Sequence, residues 1–433
     1  MTSLFKNAIL WLIRKEAKAV LKKYKPKVVL ITGSIGKTST KDAVFAVLSQ
    51  FAHVRKSEKS YNSDFGIPLS ILGLESGWRN PLLWLGNLFK GLKLVLFKEK
   101  QYPQWLVLEV GARKPGDIQS AAGWVKADVV VMTAIGSTPP HIEFYESIQH
   151  LVEEKATLIN DLRKTGTFIV NSDDPLAFDM QSKTECPVIS YGESSGSSVQ
   201  ASHLEIQYSK ASEVPAGISF KVKIGNASLP VTMRWVFGKN HMYAAIAALA
   251  VAQSQKFDLI TAAKALEAYE VPNGRMRLVD GIRGTFIIDD SYNASPQAME
   301  AAIETLGNIR ATGRKIAVIG DMLELGKFTE DAHRRAGAKV AAAADMLLTV
   351  GIRAKFVSAE AAEQGMKKTT MRHAANAAEA GEYLKDKLEK GDVILVKGSQ
   401  AMRMERVVKK IMAHPELAPR LLVRQENEWL RKK

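Results

Sequence analysis

The sequence predicts an α/β protein in two parts, each built on a mostly parallel sheet, and three observations carry that prediction. Residues 27–42, KVVLITGSIGKTSTKD, read as a strand, a glycine turn and a helix in immediate succession. Beyond residue 275, apolar strand-like runs alternate with segments of helical period, the pattern of parallel strands joined by crossover helices. The chain has 433 residues, more than one ordinary core holds, which points to two or three domains. We expect a basic amphipathic helix over 1–26, a central domain over 27–273 and a C-terminal, doubly wound domain over 274–433.

Composition narrows the function classes. Hydrophobic content of 46% and charged content of 24% describe a soluble globular chain. The single cysteine, Cys186, excludes an internal disulfide framework and a cysteine metal cluster, and fits a reducing, cytoplasmic setting. No apolar run has the length of a membrane span. A net charge of +15 suits polyanions: nucleotides, sugar phosphates, nucleic acid or an acidic membrane face. A nucleic-acid role would rest on charge alone, and none is expected.

Residues 1–26 carry Phe5, Ile9, Leu12, Ile13, Ala17, Val20 and Tyr24 at helical spacing, with lysines on the other faces. Such a helix either packs on the body of the protein or lies on anionic lipid, and packing is the favoured reading. The turn that follows the first strand is a phosphate cradle. In the turn Gly33-Ser34-Ile35-Gly36-Lys37-Thr38-Ser39, the backbone N–H groups from Gly33 to Thr38 would face one concavity, with a helix N-terminus behind. The long P-loop pattern needs a glycine where Ile31 stands, so this is a shortened form. Lys37 would neutralise β/γ-phosphate charge, and the Thr38 hydroxyl is positioned to ligate Mg²⁺.

Gly66 and Pro68 mark a loop over 59–72 before a short apolar helix. Residues 78–104 form a second basic amphipathic stretch, which would cover the first, a partner or a membrane surface. A buried strand over 105–110 ends in Glu109, where α/β nucleotide enzymes hold Mg²⁺. Another strand over 128–133 leads through Pro139 and Pro140 to His141, and a helix over 147–162, N-capped by Ser147, carries Lys155. Taken singly, His141 reads as structural and Lys155, beside Glu153 and Glu154, as part of a solvated helix face. A strand over 168–173 follows, then antiparallel strands within 201–237, helices over 241–254 and 259–269, and a linker over 271–275.

In the C-terminal part, strands are expected over 285–289, 315–319, 346–350 and 392–396. Helices are expected over 296–306, 329–344, 375–389 and 402–413. Polar groups at the strand ends, 289–293, 320–324 and 397–399, would face a common crevice at the carboxyl edge of the sheet.

Taken together, TGSIGKTSTK, LEVGARKPGDI, PPHIEFYESI, EKA, GRMR, IIDDSYNASPQAM, IGDMLELG and LVKGSQAMRMERV resemble the ATP-dependent Mur ligase family in order and spacing over residues 28–410. Within that family, DDSYNASP and GDMLELG resemble the type that joins D-alanyl-D-alanine to UDP-N-acetylmuramoyl-tripeptide. The resemblance implies a central P-loop ATPase domain and a C-terminal Rossmann-like domain. It also implies ATP and two Mg²⁺ sites, with Thr38, Glu109, His141 and Lys155 at the metals and Lys155 carbamylated by CO₂. Arg275 would reach the ATP phosphates, Asp290 the ribose, and Asn240 and Asn293 the nucleotide. Asn62, Tyr292, Lys397 and Ser399 would line the substrate side. Partners would be small molecules, a nucleotide-sugar peptide and a dipeptide, with peripheral membrane contact as a further option and a monomeric state.

Some positions depart from the family pattern. Ser60 and Ser63 flank Asn62 where asparagines are usual, and Asn240-His241 inverts the usual order. The 27 residues through Lys27 are too few for a UDP-binding domain, so the uridine end would be held differently or be absent from the substrate. A related ligase with another carboxylate and amine is therefore the first alternative. The alternative of a different class is a non-catalytic, membrane-associated nucleotide-binding scaffold.

Overall fold

The fold is that of a computed structural model describing residues 3–58, 61–78, 80–209 and 214–431; Ser60 lies outside them. Helix α1 (Ser3–Tyr24) precedes the strand of the glycine turn, β1 (Lys27–Thr32), which feeds α2 (Lys37–Leu48). Then come β2 (Val54–Lys56), α3 (Gly66–Leu72), α4 (Pro81–Leu96), β3 (Trp105–Glu109), α5 (Asp117–Ala122), β4 (Ala127–Met132), α6 (Ile148–Ala156) and β5 (Leu162–Asn171). The short α7 (Pro175–Phe178) and β6 (Val188–Gly192) lead into β7 (Val199–Tyr208), β8 (Pro215–Ile224) and β9 (Ala227–Arg234), and α8 (Lys239–Ser254) and α9 (Leu259–Ala265) close this part.

These strands form one nine-stranded sheet in the order β2-β3-β1-β4-β5-β6-β7-β8-β9. Pairs from β2 through β7 are parallel, and β7–β8 and β8–β9 are antiparallel. The chain leaves β1 toward one edge and returns to β4 on its other side, so β1 borders the reversal of strand order where α/β sheets open a ligand crevice. Register puts Ile31 opposite Glu109, so that carboxylate emerges level with the start of the glycine turn. The sheet is covered on both faces, as its apolar strands require: α2 and α8 pack on one side, and α1, α3 and α5 on the other.

The second sheet has six strands in the order β10-β11-β15-β12-β13-β14. Its elements are β10 (Arg277–Gly281), β11 (Thr285–Asp290), α10 (Pro296–Asn308), β12 (Lys315–Gly320), α11 (Thr329–Ala343), β13 (Met346–Val350), α12 (Lys355–Glu363), β14 (Met371–Ala374), α13 (Ala377–Lys387), β15 (Val393–Lys397) and α14 (Glu405–Ile411). All pairs are parallel except β10–β11, and the register sets Asp290 beside Lys397. Apolar packing runs on from the first sheet to the second through Val236, Phe237, Met276 and Leu278.

Several expectations needed correction. The helix expected over 147–162 ends at Ala156, because one 3₁₀ turn follows and Leu162 already pairs with Ala127 in the sheet. The helix expected from 375 starts at Ala377, because the Asn376 side chain accepts from Ala378 N and Glu379 N. Strands β2, β6, β10 and β14 and helix α12 had not been foreseen. Each of these strands has at most five residues, too short for a pattern of alternation to register.

Candidate active site

The glycine turn is shaped by the end of β4. Gly33 has φ 138°, and a Cβ there would stand 2.0 Å from Thr133 Oγ1, so only glycine lets the two loops approach. Ser34 N and Ile35 N both donate to Ala134 O, at 2.8 and 3.0 Å. This corrects the expectation that every N–H from Gly33 onward faces the cradle: Ser34 and Ile35 hold the loop in place. The anion-binding end is the start of α2, where Gly36 at φ 85° provides no side-chain cap.

Around that helix end lie the predicted residues. Thr38 Oγ1 donates to Glu109 Oε2 at 2.9 Å, and Asn62 Nδ2 donates to Glu109 Oε1 at 3.0 Å. Lys37 Nζ donates to Ser34 O at 3.2 Å, and burial pushes its pKa down against the pull of Glu109. Lys155 is 3% exposed rather than on a solvated face. Its Nζ donates to Gly33 O at 3.0 Å, and burial, then the Lys37 charge, bring its pKa down to about 7 against the pull of Glu154. Glu154, its neighbour, accepts from Gly116 N and Ile118 N at the start of α5, so the two side chains divide the work of α6.

The loop from β4 to His141 is pinned by Asp174, whose Oδ2 accepts from Ile135 N and Gly136 N at 2.9 and 2.7 Å. His141 itself has φ 68° and pairs through Nδ1 with Glu324 from the other domain. Burial lowers its pKa more than Glu324 raises it. Arg113 donates to the second oxygen of Glu324 at 2.8 Å.

From the C-terminal side, Arg275 stacks over the Tyr292 ring at 4.0 Å, and its buried Nε has no hydrogen-bond partner. Lys397 is buried between Asp290 Oδ2 at 2.7 Å and Asn293 O at 2.9 Å. Asp290 also accepts from Met276 N. Gly33, Ser34, Gly36, Lys37, Thr38, Ser39, Asn62, Glu109, His141, Lys155, Asn240, Arg275, Asp290, Tyr292, Asn293 and Lys397 all border one cavity of ≈ 420 Å³ between the two sheets. Ser399 does not border it: its hydroxyl accepts from Leu323 N and fixes the 320–324 loop. His241 does border the cavity, but its ring nitrogens are engaged by Arg275 O at 2.8 Å and by the Tyr269 hydroxyl.

Sequence reasoning gave no individual role to Arg113, Asp64 or Asp117, which also line the cavity. Arg113 and Asp117 stand in the quoted segment after Glu109, which was the available signal.

Among the described residues no group of three or more His, Cys, Asp or Glu converges as a metal cage. One carboxylate beside a hydroxyl still suits Mg²⁺, which ordinarily takes one or two protein ligands and completes its shell with phosphate and water. Thr38 and Glu109 fit that donor set.

Fold and site together define a P-loop α/β enzyme whose nucleotide cradle is faced by a second, doubly wound domain. Family models described as the Mur ligase middle domain and the Mur ligase, glutamate ligase domain match residues 85–252 and 274–400. UDP-N-acetylmuramoyl-tripeptide--D-alanyl-D-alanine ligase of Bacillus subtilis is 30% identical over 93% of this chain and 79% of its own. Among solved structures, MurF of Acinetobacter baumannii superposes with a TM-score of 0.75 at 25% identity, covering 92% of this chain and 79% of that one. The MurF ligase of Thermotoga maritima in complex with ADP gives 0.74 at 24%, covering 93% and 83%, and shares the fold. The chain belongs to the Mur ligase family of ATP-dependent ligases.

Proposed function

We propose that this ligase joins D-alanyl-D-alanine to UDP-N-acetylmuramoyl-tripeptide in peptidoglycan precursor synthesis, through an acyl phosphate made from ATP. The observation that carries the reading is the convergence, in one interdomain cavity, of Lys37, Thr38–Glu109 and buried Lys155 from the first domain with Arg275 from the second. A carboxylate is a poor electrophile, so its oxygen first takes the γ-phosphoryl group of ATP. The amine then attacks the acyl carbon, and the tetrahedral adduct collapses with loss of phosphate.

Each residue has a task in that sequence. The free N–H groups at the start of α2 and the Lys37 ammonium hold the phosphates. Arg275, with an unused buried N–H and a guanidinium fixed on Tyr292, closes the cradle from the opposite side. Mg²⁺ held by Thr38 and Glu109, with His141 near a second ion, would neutralise charge developing on the transferred group. Lys155 with a pKa of about 7 is largely neutral just above neutrality, the form that reacts with CO₂. Its carbamate would place an anionic oxygen beside the glycine turn, where Nζ now meets Gly33 O. Asn240, Asp290 and Asn293, which border the cavity, would contact the nucleotide, and Asn62, Tyr292 and Lys397, which border it too, would contact the substrate.

The test is phosphate release from ATP and Mg²⁺ with the tripeptide substrate, with and without D-alanyl-D-alanine, with the product followed by mass. Release that requires both and yields the pentapeptide is expected. Bound ATP with no turnover would move the substrates to another carboxylate and amine pair, and bound ATP that no such pair causes to be hydrolysed would favour the non-catalytic nucleotide-binding scaffold.

A further inference from the structure

Helix α4 is apolar on two sides. Its inner side, Trp84, Leu88, Gly91, Leu94 and Val95, packs toward α1 and the core. On its outer side Leu82, Leu85, Phe89, Leu92 and Leu96 recur at helical spacing in one stripe that faces solvent, with Leu82 77%, Phe89 65% and Leu96 64% exposed. Soluble surfaces scatter single apolar side chains, whereas a stripe the length of a helix marks a contact surface. One border is cationic: Lys90 and Lys93 lie along the same side of the stripe, Lys98 and Lys100 follow it with Glu99 between them, and α4 itself holds no acidic residue.

The neighbouring helix adds to this. α1 lies against α4, held by Lys23 Nζ on Leu94 O and Val95 O and by the Tyr24 hydroxyl on Phe97 O. On its own solvent side α1 exposes Trp11, with Lys15 stacked over the ring at 4.2 Å, and Lys18 and Lys22. Beyond these, Lys18, Lys22, Lys25, Lys27, Lys126 and Arg163 border an open groove of ≈ 660 Å³ that contains a single carboxylate, Asp128. Exposed aliphatic and aromatic side chains along one helix face, with lysines beside them, form the pattern of a helix lying in a bilayer interface. No helix among the described residues is long and apolar enough to cross a membrane.

We propose that the outer face of α4, with the lysines of α4 and α1, docks this protein on an anionic lipid bilayer, the apolar stripe entering the headgroup boundary and the lysines pairing with lipid phosphates. Charge decides between occupants. A second copy seated face to face would bring two lysine rims together, whereas an anionic surface complements them.

The experiment is vesicle flotation of the full chain with phosphatidylglycerol/phosphatidylcholine vesicles and with pure phosphatidylcholine vesicles, alongside sedimentation velocity. The expected result is binding to the anionic vesicles only. A Leu85→Gln/Phe89→Gln variant should bind at least about tenfold more weakly. Lys90→Gln/Lys93→Gln should lose about tenfold or more, each lysine being worth about fivefold at an anionic surface. Unchanged melting temperatures and ATP binding in both variants would show that the fold and the cleft are intact. Failure to bind anionic vesicles overturns the proposal, as does binding that survives the apolar double substitution. Self-association abolished by that substitution, without vesicle binding, would assign the face to a second copy.

Discussion

A lysine buried against a backbone carbonyl can lower its cost by shedding its proton, and Lys155 does so at a pH where the cell operates. Its pKa falls from 10.5 to about 7 through burial and the Lys37 charge. If the neutral amine takes up CO₂, a carbamate signal from ¹³C-labelled bicarbonate should grow with a midpoint near pH 7, not near that of a free lysine. It should vanish in Lys155→Ala, whose activity should fall about 10²–10³-fold and recover in part with added short carboxylic acids. Absence of the signal at every pH, with full activity of the variant, removes Lys155 from the chemistry. The same shift makes a stability statement. With the folded pKa below the unfolded one, the unfolded chain binds more protons between pH 7 and 10.5, so the cost of burying the group is full below 7 and fades toward 10.5. Lys155→Met should therefore raise the melting temperature most at pH 6 and progressively less toward pH 10. At the other wall, Glu109→Gln keeps the contact to Thr38 but removes the charge. Its expected mark is a loss of Mg²⁺-dependent turnover of about 10²-fold, with ATP binding in the absence of metal little changed.

At the scale of elements, the strand–turn–helix at β1–α2 was legible because glycine, lysine and hydroxyl occur in the only order that makes a cradle. The use of Ser34 N and Ile35 N was not, since the partner is a carbonyl at Ala134, far along the chain. The helix carrying Lys155 was legible too, but the burial of Lys155 depends on the glycine turn packed above it, and no local pattern reports that. The C-terminal α/β alternation could be read off its apolar runs, while the edge strand β14 and the antiparallel β10 gain their identity only from a neighbouring strand. The α1–α4 pair hides another such contact. Gly91 lets α1 approach so closely that a Cβ there would sit 2.0 Å from Glu16 Oε2, an oxygen with no hydrogen-bond partner. Burial raises the Glu16 pKa from 4.5 to about 7. Here the folded state binds more protons, so stability is highest at low pH and declines as pH rises from 4.5 through 7. Glu16→Gln should melt higher than the parent at pH 8 and together with it near pH 4.5. Equal melting at both pH values would mean that the carboxyl is solvated.

At the scale of the whole molecule, the two domains meet through contacts of unequal strength, and the weaker set is the one that reports the state of the cleft. Behind the cavity the contact is apolar and continuous, through Phe237, Met276 and Leu278, with Phe237 N bonded to Met276 O. The linker expected over 271–275 is itself tied down: Asn273 Nδ2 donates to Arg420 O and Leu422 O, and a Cβ at Gly274, at φ 68°, would meet Tyr292 N at 2.9 Å. Across the mouth, the hydrogen bonds seen among the described residues join Glu324 to both His141 and Arg113. Arg113 is 63% exposed, and a pair so open to water is worth about 1 kcal/mol or less. A latch of that size can shift an open–closed equilibrium by about fivefold but cannot hold it shut. Glu324→Gln should then raise the KM for ATP up to about fivefold, and should enlarge the radius of gyration of the ligand-free protein in solution scattering. With saturating nucleotide the two proteins should scatter alike, because the phosphates bound between Lys37 and Arg275 join the same two domains more strongly than Glu324 does. An unchanged radius of gyration without nucleotide would mean that the apolar contact behind the cavity already fixes the domains. Catalysis would then proceed within one arrangement, with Glu324 serving only to orient His141.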